Sequence, residues 1–443
     1  MRVLIICCFI SLSVVFVRAQ QIWTLQACID RAKTANLTVR QKQVAVEQAA
    51  IGVKTAQSQR LPILSANLSP SYNMGLSPTA AGTYEQFNAS ISNLSASLSQ
   101  PVFHGFNIAN SIKSSKLELK AVIAESEQAC QDIAVNVIAG YLQVLLDKEL
   151  VHAAQEQVVL SGKQAERTHK LVKVGKLSPT GLYEGNAQVA KDSSSLIKGE
   201  SDLRLALLDL AQLLQLENAV TFDIATSEPD TLLSFKSMPL TGVDSLYRLA
   251  LQRRFAVQAA QYRIEKGNAD IAVVRSGYLP TLDLTAGYYN GYYYYYNMAQ
   301  GYSNTSFSNQ FRQNRQEVVA LSLQIPIFNR FDVKHKVQSS KLSLQQQQLI
   351  LENEKQQLYK TIQQVYYRSV SAQTKYYSLQ KEVEALQITY RNALEKFEVG
   401  KATGFEVNEK QAALSKAISD RIEAKYDYLF SCKTLNFYIN NSI

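Results

Sequence analysis

Four histidines, three cysteines beyond residue 19 and a few methionines are the residues that could carry catalytic or metal chemistry, and their spacing offers none. His104, His152, His169 and His335 stand far apart, with no HExxH to hold zinc, no GxSxG to seat a nucleophile and no glycine-rich phosphate loop. Cys28, Cys130 and Cys432 are odd in number and widely spaced, the wrong arithmetic for a disulfide framework or a CxxC metal knot, so they read as small core residues. Met74, Met238 and Met298 are too dispersed for a copper relay. The residues predict no enzyme, no metal and no cofactor.

The chemistry that the spacing does offer is a partition between lipid and water. Leu64, Ala66, Leu68, Pro70 and Tyr72 alternate with Ser65, Asn67, Ser69, Ser71 and Asn73, and Leu94, Ala96 and Leu98 alternate with Ser95, Ser97 and Ser99. Later Leu282, Leu284, Ala286 and Tyr288 repeat the period, then Val319, Leu321, Leu323 and Ile325 against Ala320, Ser322 and Gln324. Alternation of apolar with small polar residues is the signature of a membrane barrel strand, lipid on one face and water on the other. A soluble hairpin packed on helices is the plainer alternative, but two hairpins have open edges, poor in water or lipid unless they close. Four strands per chain cannot close a barrel when the smallest have about eight. Copies must pool strands, two giving 8 and three giving 12.

These strands sit between helices. With 46% hydrophobic and 19% charged residues, 18 Gly and 9 Pro in 443 positions, the chain is too apolar for disorder and too poor in turn-makers for a many-turned sandwich or propeller. In the second half Val337, Leu344, Leu351, Leu358, Val365, Ala372, Leu379, Leu386 and Ala393 recur every seven residues. Ile362, Tyr376, Val383, Tyr390 and Phe397 form the partner series, together a coiled-coil seam. The first half offers Ile123, Cys130, Val137, Val144, Val151, Val158, Ala165 and Val172. Helices from Phe106 to Val174 and from Phe331 to Val399 would each run about 100 Å. The shorter stretches, Thr24 to Arg60 with 181–215 and Val243 to Tyr278 with 405–438, match them in pairs, which predicts an antiparallel bundle turning at Val-Gly-Lys.

The chain also repeats itself. Leu61-Pro62 returns as Leu279-Pro280, Pro101-Val102-Phe103 as Pro326-Ile327-Phe328, and Val174-Gly175-Lys176 as Val399-Gly400-Lys401, in one order and far beyond solenoid periods. The predicted organisation is a first repeat over 20–220 (helix, hairpin 62–102, long helix 106–174, return helix 181–215), a linker over 221–240, and a second repeat over 241–443 (helix, hairpin 280–326, long helix 331–399, return helix 405–438).

Arg2, the apolar run Val3 to Val17 and Val17-Arg18-Ala19 read as a signal peptide cleaved after Ala19, so export is expected. Cys7 and Cys8 follow bulky Ile6 inside that run and read as its apolar residues, without lipidation. Losing Arg2 and Arg18 lowers the formal charge from +9 to +7. That excess is spread among mixed charges with no aromatic-interleaved basic tract, which gives no support to nucleic-acid binding. No uncharged apolar stretch of 18 residues follows Ala19, so membrane insertion is expected to use strands and no helix. Tyr288 to Tyr296, on to Tyr302 and Phe311, reads as a tyrosine-rich loop between the second pair of strands, at the membrane–water interface or beyond it.

The order of these parts resembles the TolC-like outer-membrane efflux protein family: signal peptide, duplicated half, Leu-Pro before the strands, Pro-x-Phe (Pro101, Phe103; Pro326, Phe328) after them, and Phe397-Glu398-Val399-Gly400 at the helical turn. The resemblance implies an α+β membrane protein. It would be a homotrimer with a 12-stranded transmembrane β-barrel in the outer membrane, continued by a periplasmic α-helical barrel of long antiparallel coiled coils. It implies partners: a periplasmic adaptor (membrane fusion) protein docking at the tip turns Val174, Gly175, Lys176, Val399, Gly400 and Lys401, an inner-membrane RND, ABC or MFS pump, and outer-membrane lipid. It also places a periplasmic gate at Glu406 and Glu409, where three copies would give six carboxylates that repel one another and attract cations. Glu stands here where Asp is usual, and Ala402 where a basic residue can occur.

The function so implied is a passive exit duct of a tripartite efflux or type I secretion system. A non-conducting trimeric coiled-coil surface protein anchored by membrane hairpins is the alternative. Polar alternation and duplicated tips favour the duct, since a stalk needs neither.

Overall fold

The computed structural model describes residues 23–78, 82–217, 221–225, 242–298 and 301–440. The signal-peptide reading, most of the linker and Met238 lie outside the described residues. Two helices open the described chain, α1 (Leu25–Ala35) and α2 (Leu37–Ser58), followed by strands β1 (Ile63–Pro78) and β2 (Tyr84–His104), the long helix α3 (Asn107–Lys173) and its return α4 (Thr180–Leu213). The second half gives α5 (Val243–Arg253), α6 (Phe255–Arg275), β3 (Thr281–Tyr295), the short α7 (Phe307–Gln313), β4 (Gln316–Gln324), the long α8 (Asp332–Glu398) and α9 (Gly404–Asn440). The fold is mostly helical with one curled antiparallel sheet of order β1-β2-β3-β4.

The stretches Thr24–Arg60 and Val243–Tyr278 are each broken once. Asn36 leaves the helical region (φ −61, ψ 132); its side chain accepts from the Thr38 N–H at 2.9 Å to cap α2 and donates to the Leu213 carbonyl at 3.0 Å. Arg254 (φ −77, ψ 119) breaks the second stretch at the corresponding place, its guanidinium donating to Gln131 and Asp132. An apolar periodicity cannot show such a break, because the side chains on both sides stay on one face while Asn36 caps the new helix and Arg254 bonds side chains of α3.

Contact density divides the chain into two units that cut across the sequence halves. One holds the described residues up to Lys42, Glu127–Arg254 and those from Gln356 on; the other holds Gln43–Ser126 and Phe255–Lys355. The cut is crosswise because each long helix contributes to both.

In the first unit the core gathers α1, the middle of α3, the end of α4, residues 222–224 and α9 around Ile29, Val137, Tyr141, Leu210 and Leu429, all almost fully buried. Burying each such side chain is worth about 1.5–3 kcal/mol. Tyr141 also donates to the Ala225 carbonyl at 3.0 Å, and Cys28 and Cys432 are buried while Cys130 is half-buried. Glycines let α4 approach α3 antiparallel: a Cβ on Gly140 would sit 3.4 Å from Leu210, on Gly199 3.4 Å from Val151, on Gly185 3.4 Å from Ala165. The α8 seam is buried or half-buried at every heptad position named above. In α3 the series fails at Ile123, which is exposed, because Ala121 and Ala124 turn inward there.

One window of α3 is long and apolar enough to cross a membrane by length and composition, and it belongs to a helix buried on more than one face, where Ile133, Ala134, Ile138 and Leu142 join Val137 and Val144 in the core. One expectation is corrected. The tyrosine run is no loop. Tyr288 to Tyr295 continue β3, paired from Ala96 to Ala89 of β2. The run hides its strand character because tyrosine suits both faces and so shows no period of two, while its β propensity is high.

Candidate functional site

The register of the sheet sorts the alternating residues into two faces. Leu64 pairs with Leu98, Leu98 with Ala286 and Ala286 with Val319, an apolar row across all four strands. One residue on, Ser65 pairs with Ser97 and Ser97 with Gly287, the two hydroxyls 2.9 Å apart. Leu68, Leu94, Leu284 and Leu321 extend the apolar face; Asn67, Ser95, Ser99, Thr285 and Ser322 extend the polar one. Among the described residues β1 and β4 have no strand on their outer sides. On the polar face the rings of Tyr289 and Tyr293 lie where Cβ atoms on Gly287 and Gly291 would be, within 2.7 and 2.9 Å, an aromatic covering of a strand glycine two residues back.

Each long helix is entered through the same turn. Pro101 and Phe103 lie at a bulge in β2, followed by Gly105 (φ 57) and Phe106 (φ 64) before α3. Pro326 and Phe328 follow β4, then Arg330 (φ 54) and Phe331 (φ 62) before α8. In both turns the two phenylalanines meet edge to face, Phe103–Phe106 at 5.3 Å and Phe328–Phe331 at 5.5 Å. The first turn borders a cavity of about 270 Å³ lined by His104, Asn107, Ser276, Thr281 and Gln324, among others.

The helical tips are also alike. Gly175 and Gly400 take φ 73 and 75, with Lys176 N–H donating to Leu171 O (2.9 Å), Gly175 N–H to Val172 O (3.0 Å), Lys401 N–H to Lys396 O (2.8 Å) and Gly400 N–H to Phe397 O (3.1 Å). Both are Schellman closures, in which a left-handed glycine satisfies the last carbonyls. Val174, Lys176, Val399 and Lys401 are exposed beside them. Nearby, the Lys170 ammonium 2.8 Å from Glu166 holds that carboxyl below the usual range.

Glu406 and Glu409 are exposed, opposite the buried Val407 and Gln411. Glu409 accepts from its neighbour Lys410 at 2.9 Å. Glu406 sits in the first turn of α9, where its N–H donates to Thr403 Oγ1 at 3.3 Å, so Thr403-x-x-Glu406 reads as a helix-start signal as well. A pair that sequence reasoning missed lies at the tips: Arg167 of α3 donates to Glu398 of α8 at 2.7 Å. No spacing rule relates residues so distant in sequence.

Comparison with known proteins agrees with this arrangement. The model of the family described as outer membrane efflux protein matches residues 28–215 and 246–441. Protein CyaE of Bordetella pertussis is 23% identical over 53% of this chain, which spans 48% of it, about half its length. Outer membrane protein TolC of Escherichia coli (strain K12) is 21% identical over 94% of this chain and 82% of its own. The solved structure of CusC, described in terms of transmembrane channel formation, superposes with a TM-score of 0.80 at 18% identity, covering 94% of this chain and 91% of that one. Two-faced strands, paired elbows and paired tips thus recur where the family model matches both halves, and the chain is a TolC-like member of the outer membrane efflux protein family, resident in the outer membrane.

Proposed function

We propose that three copies of this chain form a passive exit duct through the outer membrane. The observation that carries the reading is the open sheet: an apolar face, a serine- and asparagine-lined face and, among the described residues, two edge strands open on their outer sides. Edges in lipid must close, and three copies close them into 12 strands, polar side inward. The repeated elbows and tips fit an internal duplication with repeats 20–220 and 241–443 joined over 221–240. The long helices fit a periplasmic coiled-coil barrel that continues the lumen.

In this reading the chain supplies no energy. Solutes arrive from an inner-membrane pump of the RND, ABC or MFS type through a periplasmic adaptor docked at Val174–Lys176 and Val399–Lys401. Glu406 and Glu409, on an exposed face near the second tip, form the cation-attracting gate. A non-conducting stalk would need neither a polar sheet face nor two tips.

Planar-bilayer recording on the purified protein tests the duct, together with class averaging of the particles. Threefold hollow particles that conduct are expected; solid or non-conducting particles would remove the duct. Glu406→Gln with Glu409→Gln should lower the preference for cations, and unchanged selectivity would take both residues out of the gate.

A further inference from the structure

Beyond Tyr289 the strand β3 outruns β4, and among the described residues no strand pairs the backbone of Gly291 to Tyr295 on that side. Side-chain amides fill the gap. Asn314 Nδ2 donates to Gly291 O at 2.6 Å. Gln310 accepts from the Tyr293 N–H at 2.9 Å and donates to Tyr293 O at 2.8 Å. Asn304 accepts from the Tyr295 N–H and donates to Tyr295 O, both at 2.8 Å. Three amides thus serve three alternate residues as a neighbouring strand would, and Asn290 adds a bond of 2.7 Å to the Phe311 carbonyl. Residues 304–314 are clamped to the sheet edge, with Gln310 buried at the centre.

The clamp presents α7 on a particular side. Tyr292 lies on the apolar face of the sheet, two rows beyond the Leu68–Leu94 pair, and its ring meets Phe307 at 5.3 Å. Phe307 stacks on Phe311 at 5.8 Å, yet these two are 60% and 41% exposed. On the same face Tyr72 and Tyr294 both contact Tyr296, at 5.3 and 5.0 Å. Residues 301–316 hold two arginines, Arg312 and Arg315, and no acid; both arginines are exposed.

We propose that this clamped helix is a membrane-surface foot: Phe307 and Phe311 enter the headgroup boundary of the bilayer while Arg312 and Arg315 meet lipid phosphates. The proposal rests on the barrel reading, which turns the apolar face to lipid. Aromatic rings are stable at that boundary, where an apolar body and wet surroundings are both available, and cationic side chains beside them gain from anionic headgroups. The amides serve to hold the foot at one height, since a free loop would let water solvate its backbone and let the rings drift.

The test reads lipid contact directly in the full-length protein, whose one tryptophan, Trp23, gives a constant background. Phe311→Trp and, as a reference on the apolar face, Leu284→Trp are reconstituted in phosphatidylethanolamine–phosphatidylglycerol vesicles whose acyl chains are brominated near the glycerol. Both added emissions should be quenched. Quenching of Leu284→Trp alone overturns the foot and leaves the barrel; a blue-shifted, unquenched Phe311→Trp would assign the cover to a second copy of the chain. Quenching of neither overturns the barrel reading and the foot with it. Adding Gln310→Ala and Asn314→Ala should at least halve the Phe311→Trp quenching, and no change would overturn the clamp. Adding Arg312→Gln and Arg315→Gln should abolish the difference between vesicles with and without phosphatidylglycerol; a persisting difference would overturn the phosphate contact.

Discussion

The two elbows between sheet and long helix share sequence, ring geometry and backbone, yet the first is partly covered by a neighbouring turn and the second stands open. Around the first, Asn107 donates to Ser276 Oγ at 2.9 Å and to Val273 O at 3.3 Å, and His104 bonds Asp283 at 2.8 Å. The Ser276–Leu279 turn presses so close that a Cβ on Gly105 would lie 2.7 Å from Leu279 Cβ and 2.8 Å from Ser276 O. At the second elbow Ile327 is 96% exposed and Phe328 71%. Position in the sheet makes the difference, since β2 is an inner strand and β4 an edge. The turn that covers the first elbow has a twin: Leu61 N–H donates to Ser58 O at 2.9 Å as Leu279 N–H does to Ser276 O. That twin leads into β1, the other edge strand. In the proposed trimer the Ser58–Leu61 turn of the next copy would cover the bare elbow, and the contrast would then be between an interface inside one chain and the same interface between chains.

Charging the bare elbow should have the largest effect. Ile327→Asp with Phe328→Ser is expected to lower the trimer fraction at least tenfold in size-exclusion chromatography with light scattering, while circular dichroism retains the helices. A trimer that survives would show that nothing covers this elbow. Gly105→Ala, at a positive φ and against Leu279, should cost about 2–4 kcal/mol of unfolding free energy from strain and overpacking. Denaturant unfolding measures it, and a loss below about 0.5 kcal/mol would mean that the covered elbow is looser than it looks. His104→Ala, which removes a half-exposed bond that the second elbow lacks, should cost about 1 kcal/mol. The smallest effect is expected at Arg330, where a non-glycine residue already bears φ 54. Arg330→Gly should stabilise by about 0.5 kcal/mol, relief of left-handed strain being partly offset by chain entropy; destabilisation would point to an arginine contact made by a neighbouring copy.

Much of this was legible because it depends on local period. The seven-residue series of α8 follows from packing one helical stripe, and Leu64 to Asn73 from the two-residue pleat. Gly175 and Gly400 could be read as turns since few other residues accept a left-handed backbone. The breaks at Asn36 and Arg254 were hidden by the long-range bonds that stabilise them, and Arg167–Glu398 by distance along the chain. Tyr288–Tyr295 deceived because a residue amphipathic on both faces carries no alternation. The clamp of Asn304, Gln310 and Asn314 was invisible, since amides in a polar segment look like any solvated loop until a strand edge lies beside them.

Side-chain order along a regular backbone was enough for the long helices, the landmarks repeated across the two halves and the alternating strand segments, but not for Tyr288–Tyr295 or α7. Tertiary contacts set which strand is inner and which is edge, which elbow is covered, and what satisfies β3 beyond the end of β4. Those depend on backbone groups seeking partners far away in the chain, and a hydrogen-bond donor carries no mark of the acceptor it will meet.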